Sequence, residues 1–190
     1  KSSLFITAMY WQLTHAVDTS CSTYKECKDT GGFTEKQFQA FGADHGTELY
    51  KSLQTAIKRG VVVEIVQRPN EPGLVDESGE LKKLNPANVS ITNIPMQAWY
   101  KDGIMHQKLW VADNNSFYIG SANMDWMSIS QVKELGVLVE NSPELALDVV
   151  NYIKQWVEFG KITPDVKIIT DKLSVTRQVP CWSPYISDVN

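Results

Sequence analysis

An imidazole and an ammonium group separated by one residue are the most reactive pair in this sequence. His106 and Lys108 lie close to a set of small and polar residues, Gly120, Ser121 and Asn123. A lysine supplies positive charge, and hydroxyl and amide groups supply directed hydrogen bonds, so the set suits a phosphate group. An imidazole beside a phosphate can act as a nucleophile or as a general acid. The pattern therefore predicts phosphoryl chemistry.

The segment from His106 to Val111 alternates in the way a β-strand requires. Side chains two residues apart share a face, so the pattern predicts that His106 and Lys108 point together while Gln107 and Leu109 point away. The polar run 113–116 predicts a hairpin turn that Asp113 helps to shape. A second strand over 117–119 would lead to Gly120, where a small residue lets the backbone approach a ligand.

The spacing H-x-K-x4-D-x6-G-S-x-N in residues 106–123 is the HKD motif, and the chain resembles the phospholipase D superfamily. The resemblance implies an α/β fold, an α-β-α sandwich with a mixed central sheet. It also implies a phosphohistidine intermediate, with neither metal nor cofactor. No residue cluster in the sequence has the spacing of a zinc or two-metal site. Because the family builds one site from two motifs, this single copy implies a half-site, completed by a missing C-terminal half or by a homodimer partner.

Longer segments are similar to the N-terminal halves of animal lysosomal phospholipase-D-like 5′ exonucleases. These segments are Tyr10-Trp11, residues 54–61 and residues 106–137. The resemblance implies a domain over residues 1–160, without its first strand, membrane anchor or C-terminal half, followed by a loop-like extension over 161–190. It makes Glu134 the acidic residue that orients a catalytic histidine. Tyr10 and Trp11 would stack on a base or line an acyl channel, although core positions for both are an equal alternative.

Hydrophobic periodicity predicts the remaining elements. A helix is expected from Gly46 with Gly60 just beyond its end, and another over 143–159 with Pro143 in its first turn. Apolar runs predict strands over 4–11, 61–66, 89–94 and 135–139, of which 61–66 is expected to be a buried parallel strand and 135–139 a buried strand. Residues 18–46 are predicted to be a polar loop, and residues 74–87 carry no clear pattern. His15 has no evident partner, which argues against a catalytic role.

Composition excludes several classes of protein. The chain has 190 residues, a net charge of −4 and 43% hydrophobic residues, which is typical of a globular domain and unlike a broadly basic nucleic-acid binder. A polyanionic substrate therefore requires a local cationic patch or an acidic working pH. No run of eighteen apolar residues predicts a membrane span.

Cysteines and a glycosylation sequon bear on the compartment. Cys21 and Cys27 are spaced to close a small disulfide loop and leave Cys181 over, and three reduced thiols in a cytosolic protein are the alternative. The sequon at Asn88 favours the oxidising, secretory interpretation. With the resemblance, it predicts a glycoprotein of the lysosome or of the endoplasmic reticulum lumen.

Three functions are consistent with these patterns. The first is a phosphodiesterase that removes nucleotides from the 5′ end of single-stranded DNA or RNA. The second is a phospholipid phosphodiesterase or transphosphatidylase using the same residues. The third is a silent relative with a scaffolding role, which an intact motif disfavours.

Overall fold

A computed structural model of the chain describes residues 2–15, 33–70, 75–99 and 103–162. Its eight strands are β1 Ser3–Ala8, β2 Trp11–Gln12, β3 Val62–Gln67, β4 Val89–Asn93, β5 Leu109–Ala112, β6 Ser116–Gly120, β7 Met124–Asp125 and β8 Gly136–Val139. Its six helices are α1 Glu35–Ala40, α2 Asp44–Lys58, α3 Glu77–Leu84, α4 Met96–Trp99, α5 Trp126–Ser130 and α6 Pro143–Lys161. The predicted cysteine pairing and the extension over 163–190 lie outside the described residues.

Six strands form one mixed sheet in the order β4-β3-β1-β5-β6-β8. β1, β3 and β4 are parallel, whereas β5 is antiparallel to both β1 and β6, and β6 is antiparallel to β8. The parallel half needs helical crossovers, which α2 and α3 supply, and the antiparallel half needs only short turns. This mixed α/β sheet confirms the predicted fold class.

Helices cover the two faces of the sheet. On one face, α6 packs its apolar side, including Val150, Ile153 and Phe159, against Phe5 and Val111. On the other face, the α2 and α3 side chains Leu53, Ile57 and Leu81 pack with Ile6 and Ile65 of the neighbouring strands. The alternation of β1 and β3 therefore buries both of their faces, which explains their continuous apolar character.

The predicted helices α2 and α6 are present, but the other four described helices were not predicted, among them α1 and α3. The polar loop predicted over 18–46 contains α1, whose N-terminus is a capping box between Thr34 and Gln37. The unassigned residues 74–87 contain α3, capped by the side chain of Asp76. These helices have six and eight residues, too few for an apolar period to stand out in the sequence.

The hairpin between β5 and β6 closes through the three residues 113–115, since Ala112 pairs with Ser116. Asp113 and Asn114 have φ angles of 54° and 51°, as a type I′ turn requires at both central positions. The Asn115 amide donates to the Ala112 carbonyl at 3.0 Å. The Asp113 carboxylate also accepts from the Ser3 amide at 2.7 Å. Asp113 therefore ties the hairpin to the start of β1.

The expectation that residues 135–139 form a buried strand is wrong. β8 is the sheet's edge strand, and Leu135, Val137 and Leu138 are 81%, 59% and 63% exposed. A continuous apolar run resembles a buried strand in the sequence, yet at this edge of the sheet Val139 packs against the cluster that contains α6, while Leu135, Val137 and Leu138 stay exposed.

Two further observations concern compartment. Among the described helices, none combines the length and apolarity needed to cross a membrane. The sequon residue Asn88 is half-buried in the turn before β4, where its Nδ2 donates to the Gly60 carbonyl at 3.2 Å. Its glycosylation stays a prediction.

The ring of Tyr118 lies across the paired glycines of β6 and β8. A Cβ atom placed on Gly120 would come within 2.0 Å of the Tyr118 hydroxyl oxygen, and one on Gly136 would come within 2.1 Å of the same ring. The space beside Gly120 is therefore filled by a side chain of the protein itself, which corrects the expectation that a ligand approaches there.

We expect Gly120→Ala to lower the free energy of unfolding by about 1–3 kcal/mol, because the added methyl must displace the Tyr118 ring. Urea denaturation measures this loss. In a Tyr118→Ala background the same substitution meets open space, so it should be neutral or slightly stabilising. An equal loss in both backgrounds would contradict this assignment.

Candidate active site

The site forms where the segment before β5 meets the ends of β1 and β6. The strand was predicted to begin at His106, but β5 begins at Leu109. His106 and Lys108 therefore lie just before the strand. The extended backbone continues nevertheless, since the Gly120 amide donates to the Lys108 carbonyl at 3.1 Å. The predicted alternation is present: Gln107 points to α6, where it donates to the Tyr152 hydroxyl at 2.7 Å.

His106 and Lys108 are in direct contact. Lys108 Nζ lies 2.9 Å from Nδ1 and 3.0 Å from Nε2 of His106, and it donates to the His106 carbonyl at 3.1 Å. His106 is exposed, whereas Lys108 is only 5% exposed. The structure therefore sets a buried cation directly beneath an imidazole that a ligand can reach.

Two features of the surroundings of Lys108 shift its pKa in opposite directions. Burial lowers the pKa of Lys108, because a charged ammonium loses its hydration, and Glu134 partly offsets this by favouring the charged form. Glu134 is half-buried and also acts on Tyr10. The acidic residue that the sequence singled out therefore lies close enough to affect the lysine and the tyrosine.

Ser121 is placed differently from what was expected. Its Oγ donates to the Leu135 carbonyl at 3.2 Å and accepts from the Leu135 amide at 2.9 Å. The hydroxyl proton is therefore used within the chain and is not free for a phosphate. Ser121 instead links the end of β6 to Leu135, the residue after Glu134, by two hydrogen bonds.

Asn123 and Tyr10 meet at the end of β1. Asn123 Nδ2 donates to the Tyr10 hydroxyl at 3.3 Å, and that hydroxyl donates to the Asp125 carboxylate at 2.6 Å. Burial and the nearby Asp125 raise the pKa of Tyr10 above its usual value, so its hydroxyl stays protonated. Asp125, which is 1% exposed, was not predicted as a site residue. Its place before a short helix, with Ser128 three residues on, is an N-cap pattern that could have drawn attention to it.

Trp11, the other aromatic residue expected to touch substrate, lies in the core. It is 3% exposed and pairs in register with Met124 through the short β2–β7 ladder. The segment after it is held by Glu77, a buried carboxylate that accepts from the Leu13 and Thr14 amides at 2.8 Å. The core alternative for Trp11 is the one that the structure shows.

A separate cluster has the side chains to hold a metal ion. Ligand atoms of His15, Glu35 and Asp44 lie within 4.8 Å of one another, a grouping of distant residues that the sequence did not suggest. His15 Nε2 lies 3.3 Å from Glu35 Oε1, so His15 has the partner that the sequence did not reveal. The imidazole also packs on Phe38. None of these residues belongs to the motif.

Comparison with known proteins identifies the family. The family described as "PLD3/4, PLD-like domain" matches residues 33–175, which is more than half of the chain. The chain belongs to this phospholipase-D-like family. The 5′-3′ exonuclease PLD3 of Bos taurus is 35% identical over 161 residues, covering 84% of this chain and 28% of the relative. Phospholipase D Z of Dictyostelium discoideum is 37% identical over 123 residues, covering 65% of this chain and 29% of the relative.

A solved structure supports the fold. NucT from Helicobacter pylori is 17% identical to this chain, and the two structures align with a TM-score of 0.55. The alignment covers 82% of this chain and 79% of NucT. At this identity the likeness concerns the fold alone. The chain spans less than a third of the length of the curated relatives above, whereas it corresponds to most of the NucT chain.

We expect Glu134→Gln to lower the pKa of Lys108 further, because the substitution removes the carboxylate that favours the charged ammonium. Side-chain NMR of ¹³C-lysine measures the titration directly. Binding of bis(p-nitrophenyl) phosphate, whose charge is constant across this range, should be lost with rising pH, and at a lower pH in the variant. Glu140→Gln, at an exposed site, is the matched control. An unchanged Lys108 titration in Glu134→Gln would contradict the coupling.

Proposed function

We propose that this chain provides half of a phosphodiesterase site that removes nucleotides from the 5′ end of single-stranded DNA or RNA. The observation that carries the proposal is the contact between exposed His106 and buried Lys108. A phosphate placed over the imidazole would have a fixed positive charge beneath it and the Asn123 amide at its side. The exonuclease activity is that of the relatives named 5′-3′ exonuclease, which share about a third of their aligned residues with this chain.

The proposed reaction has two displacements. A nitrogen of His106 attacks phosphorus, a P–N bond forms, and the P–O bond to the leaving nucleotide oxygen breaks as that oxygen takes a proton from a general acid. Water then attacks phosphorus, the P–N bond breaks, and the proton from water returns to the general base. Lys108 neutralises charge on the equatorial oxygens in both steps. Glu134 keeps Lys108 protonated and orients the reacting imidazole.

A second imidazole is needed to protonate the leaving oxygen. The chain contains three histidines; His15 pairs with Glu35 and His45 with Glu48, each outside the motif. The general acid is therefore proposed to come from a second phospholipase-D-like unit, either a copy of this chain or the C-terminal half of a longer one. The exposed apolar residues of β8 and the neighbouring Ile119, which is 45% exposed, support this proposal as a surface for that unit.

A phospholipid phosphodiesterase is the second candidate, because an apolar groove adjoins the site. The groove encloses about 370 Å³, and its lining includes Asn123 together with Leu49, Trp110, Met124 and Leu138. An acyl chain fits a lining of this kind. In that reaction an alcohol or water would resolve the same phosphohistidine.

A luminal location, lysosomal or secretory, is also proposed. It is supported by the likeness to the exonuclease family and by the Asn88 sequon. Such a compartment would be acidic or oxidising, which suits an acidic chain that must bind polyanions.

We expect the site, once its second phospholipase-D-like unit is present, to shorten a 5′-hydroxyl single-stranded oligonucleotide, without added metal and more rapidly at acidic than at neutral pH. If a second copy completes the site, the rate should rise with the square of chain concentration at low concentration and linearly at high concentration. Gel analysis of the oligonucleotide over a hundredfold range of concentration measures both effects. A labelled phospholipid with a primary alcohol, assayed in parallel, tests the second candidate.

Three variants give this experiment its controls. His106→Ala should abolish turnover of either substrate while leaving the circular dichroism spectrum unchanged. Val137→Lys, on β8 and outside the groove lining, should reduce the concentration-dependent rate, whereas Val75→Lys, at a 69% exposed apolar site outside the sheet, should not. Alcohol-dependent lipid exchange with an intact oligonucleotide would contradict the exonuclease proposal. A rate linear throughout would contradict completion by a second copy.

A further inference from the structure

A chain of three side chains beneath the site has a defined hydrogen-bond direction. Asp125 Oδ1 accepts from the amides of Met127 and Ser128 at 2.7 and 3.0 Å, and Oδ2 accepts from the Ser128 hydroxyl at 2.7 Å. Oδ2 also accepts from the Tyr10 hydroxyl at 2.6 Å. Asp125 is therefore the acceptor in all four of these hydrogen bonds. Its orientation is fixed by the backbone of α5.

Because Asp125 accepts from the Tyr10 hydroxyl, it determines what Tyr10 can do. A phenol has one proton, and in this arrangement Tyr10 gives that proton to Asp125. Its oxygen can then only accept, so the neighbouring Asn123 must present its amide nitrogen rather than its carbonyl oxygen. This assigns the Asn123 rotamer from the network, which is how amide orientation is established. The 3.3 Å contact from Nδ2 to the Tyr10 oxygen agrees with it.

The second N–H of the Asn123 amide and its carbonyl oxygen would interact differently with an anion. Nδ2 keeps one N–H that is not used by Tyr10, and Oδ1 is buried with no hydrogen-bond partner among the described residues. An N–H stabilises a phosphate oxygen, whereas a carbonyl oxygen in the same place would repel it. A rotation of the amide by 180° would therefore exchange a favourable contact for an unfavourable one.

We propose that Asp125 and Tyr10 are positioning residues that lock the Asn123 amide with its N–H toward the phosphate. The inference rests on the proposed function, in which Asn123 contacts the phosphate. Tyr10 thus serves the site through its hydroxyl, held at the end of β1. Asp125 acts without touching substrate, by deciding the direction in which the proton of Tyr10 points.

Replacing the carboxylate with an amide reverses this direction. In Asp125→Asn, the oxygen at the Oδ1 position continues to accept from the two α5 amides, so the new NH₂ group faces Tyr10 and Ser128. The NH₂ group donates to the Tyr10 oxygen, and the Tyr10 proton then turns to Asn123. Asn123 must rotate to offer its carbonyl oxygen to Tyr10, which leaves a different group facing the phosphate. Asparagine is also a good N-cap, so α5 is preserved.

The experiment uses the whole 190-residue chain with ¹⁵N-labelled asparagine, titrated with bis(p-nitrophenyl) phosphate and followed by the side-chain NH₂ signals of Asn123. Comparison with Asn123→Asp assigns those signals. In the unaltered chain the ligand should shift them. In Asp125→Asn they should move before any ligand is added, and affinity should fall by about 10- to 150-fold, the range expected for losing one charge-assisted hydrogen bond. Tyr10→Phe, which frees the amide to rotate, should give a smaller loss.

The Ser128→Ala variant distinguishes a positioning role of Asp125 from a purely structural role at the start of α5. It removes one hydrogen bond from Asp125 but leaves the proton of Tyr10 where it is, so the Asn123 signals and the affinity should stay unchanged. Unchanged Asn123 signals and affinity in a folded Asp125→Asn would overturn the proposal. If the unaltered chain does not bind the phosphodiester, the proposed function fails instead. The ligand-free Asn123 spectrum of Asp125→Asn then still decides whether Asp125 and Tyr10 orient the Asn123 amide.

Discussion

The burial of the Lys108 ammonium beside the His106 ring is the constraint on which the rest of the site depends. A buried ammonium is costly unless its charge is compensated, and here the nearby carboxylate of Glu134 compensates part of it. The His106 ring nitrogens lie 2.9 and 3.0 Å from the Lys108 Nζ, but an imidazole ring offers at most one lone pair and no negative charge. An anion above the imidazole would complete the compensation, which is why the pair suits a phosphate.

The fold creates this pair by ending several strands at one place. The backbone of Lys108 is held by Gly120 from β6, and the next residue, Leu109, donates its amide to the Thr7 hydroxyl of β1 at 2.9 Å. The short β2–β7 ladder then brings the residues after β1 beside those after β6. Residues more than a hundred positions apart, such as Tyr10 and Asn123, thereby become neighbours.

Local patterns in the sequence were sufficient for much of this arrangement. Period-2 alternation predicted that His106 and Lys108 share a side, polar residues predicted the turn at Asp113, and the sheet of the α/β fold is confirmed. Patterns that depend on distant residues were not sufficient. The Ser121 hydroxyl is consumed by Leu135, fourteen residues away, and Trp11 is buried by packing that no local period records.

The sequence also did not reveal which apolar side chains are exposed to solvent. The run 135–139 has the composition of a buried strand, and its exposure follows from its place at the edge of the sheet. Asp125 was missed for a related reason, because its importance lies in a contact with Tyr10 across 115 residues. Composition indicates which side chains favour burial, but topology decides which of them are covered.

The most direct test of the account is to look for phosphorus bonded to His106 during turnover. The chain would be mixed with an oligonucleotide carrying ³²P in its 5′-terminal internucleotide linkage, stopped within milliseconds to seconds in alkali, and digested for peptide mapping. If His106 is the nucleophile, the peptide that contains it carries label that is stable to alkali and labile to acid, and the label is absent in His106→Ala. Oligonucleotide cleavage that proceeds without any labelled histidine peptide would show that His106 is not the nucleophile.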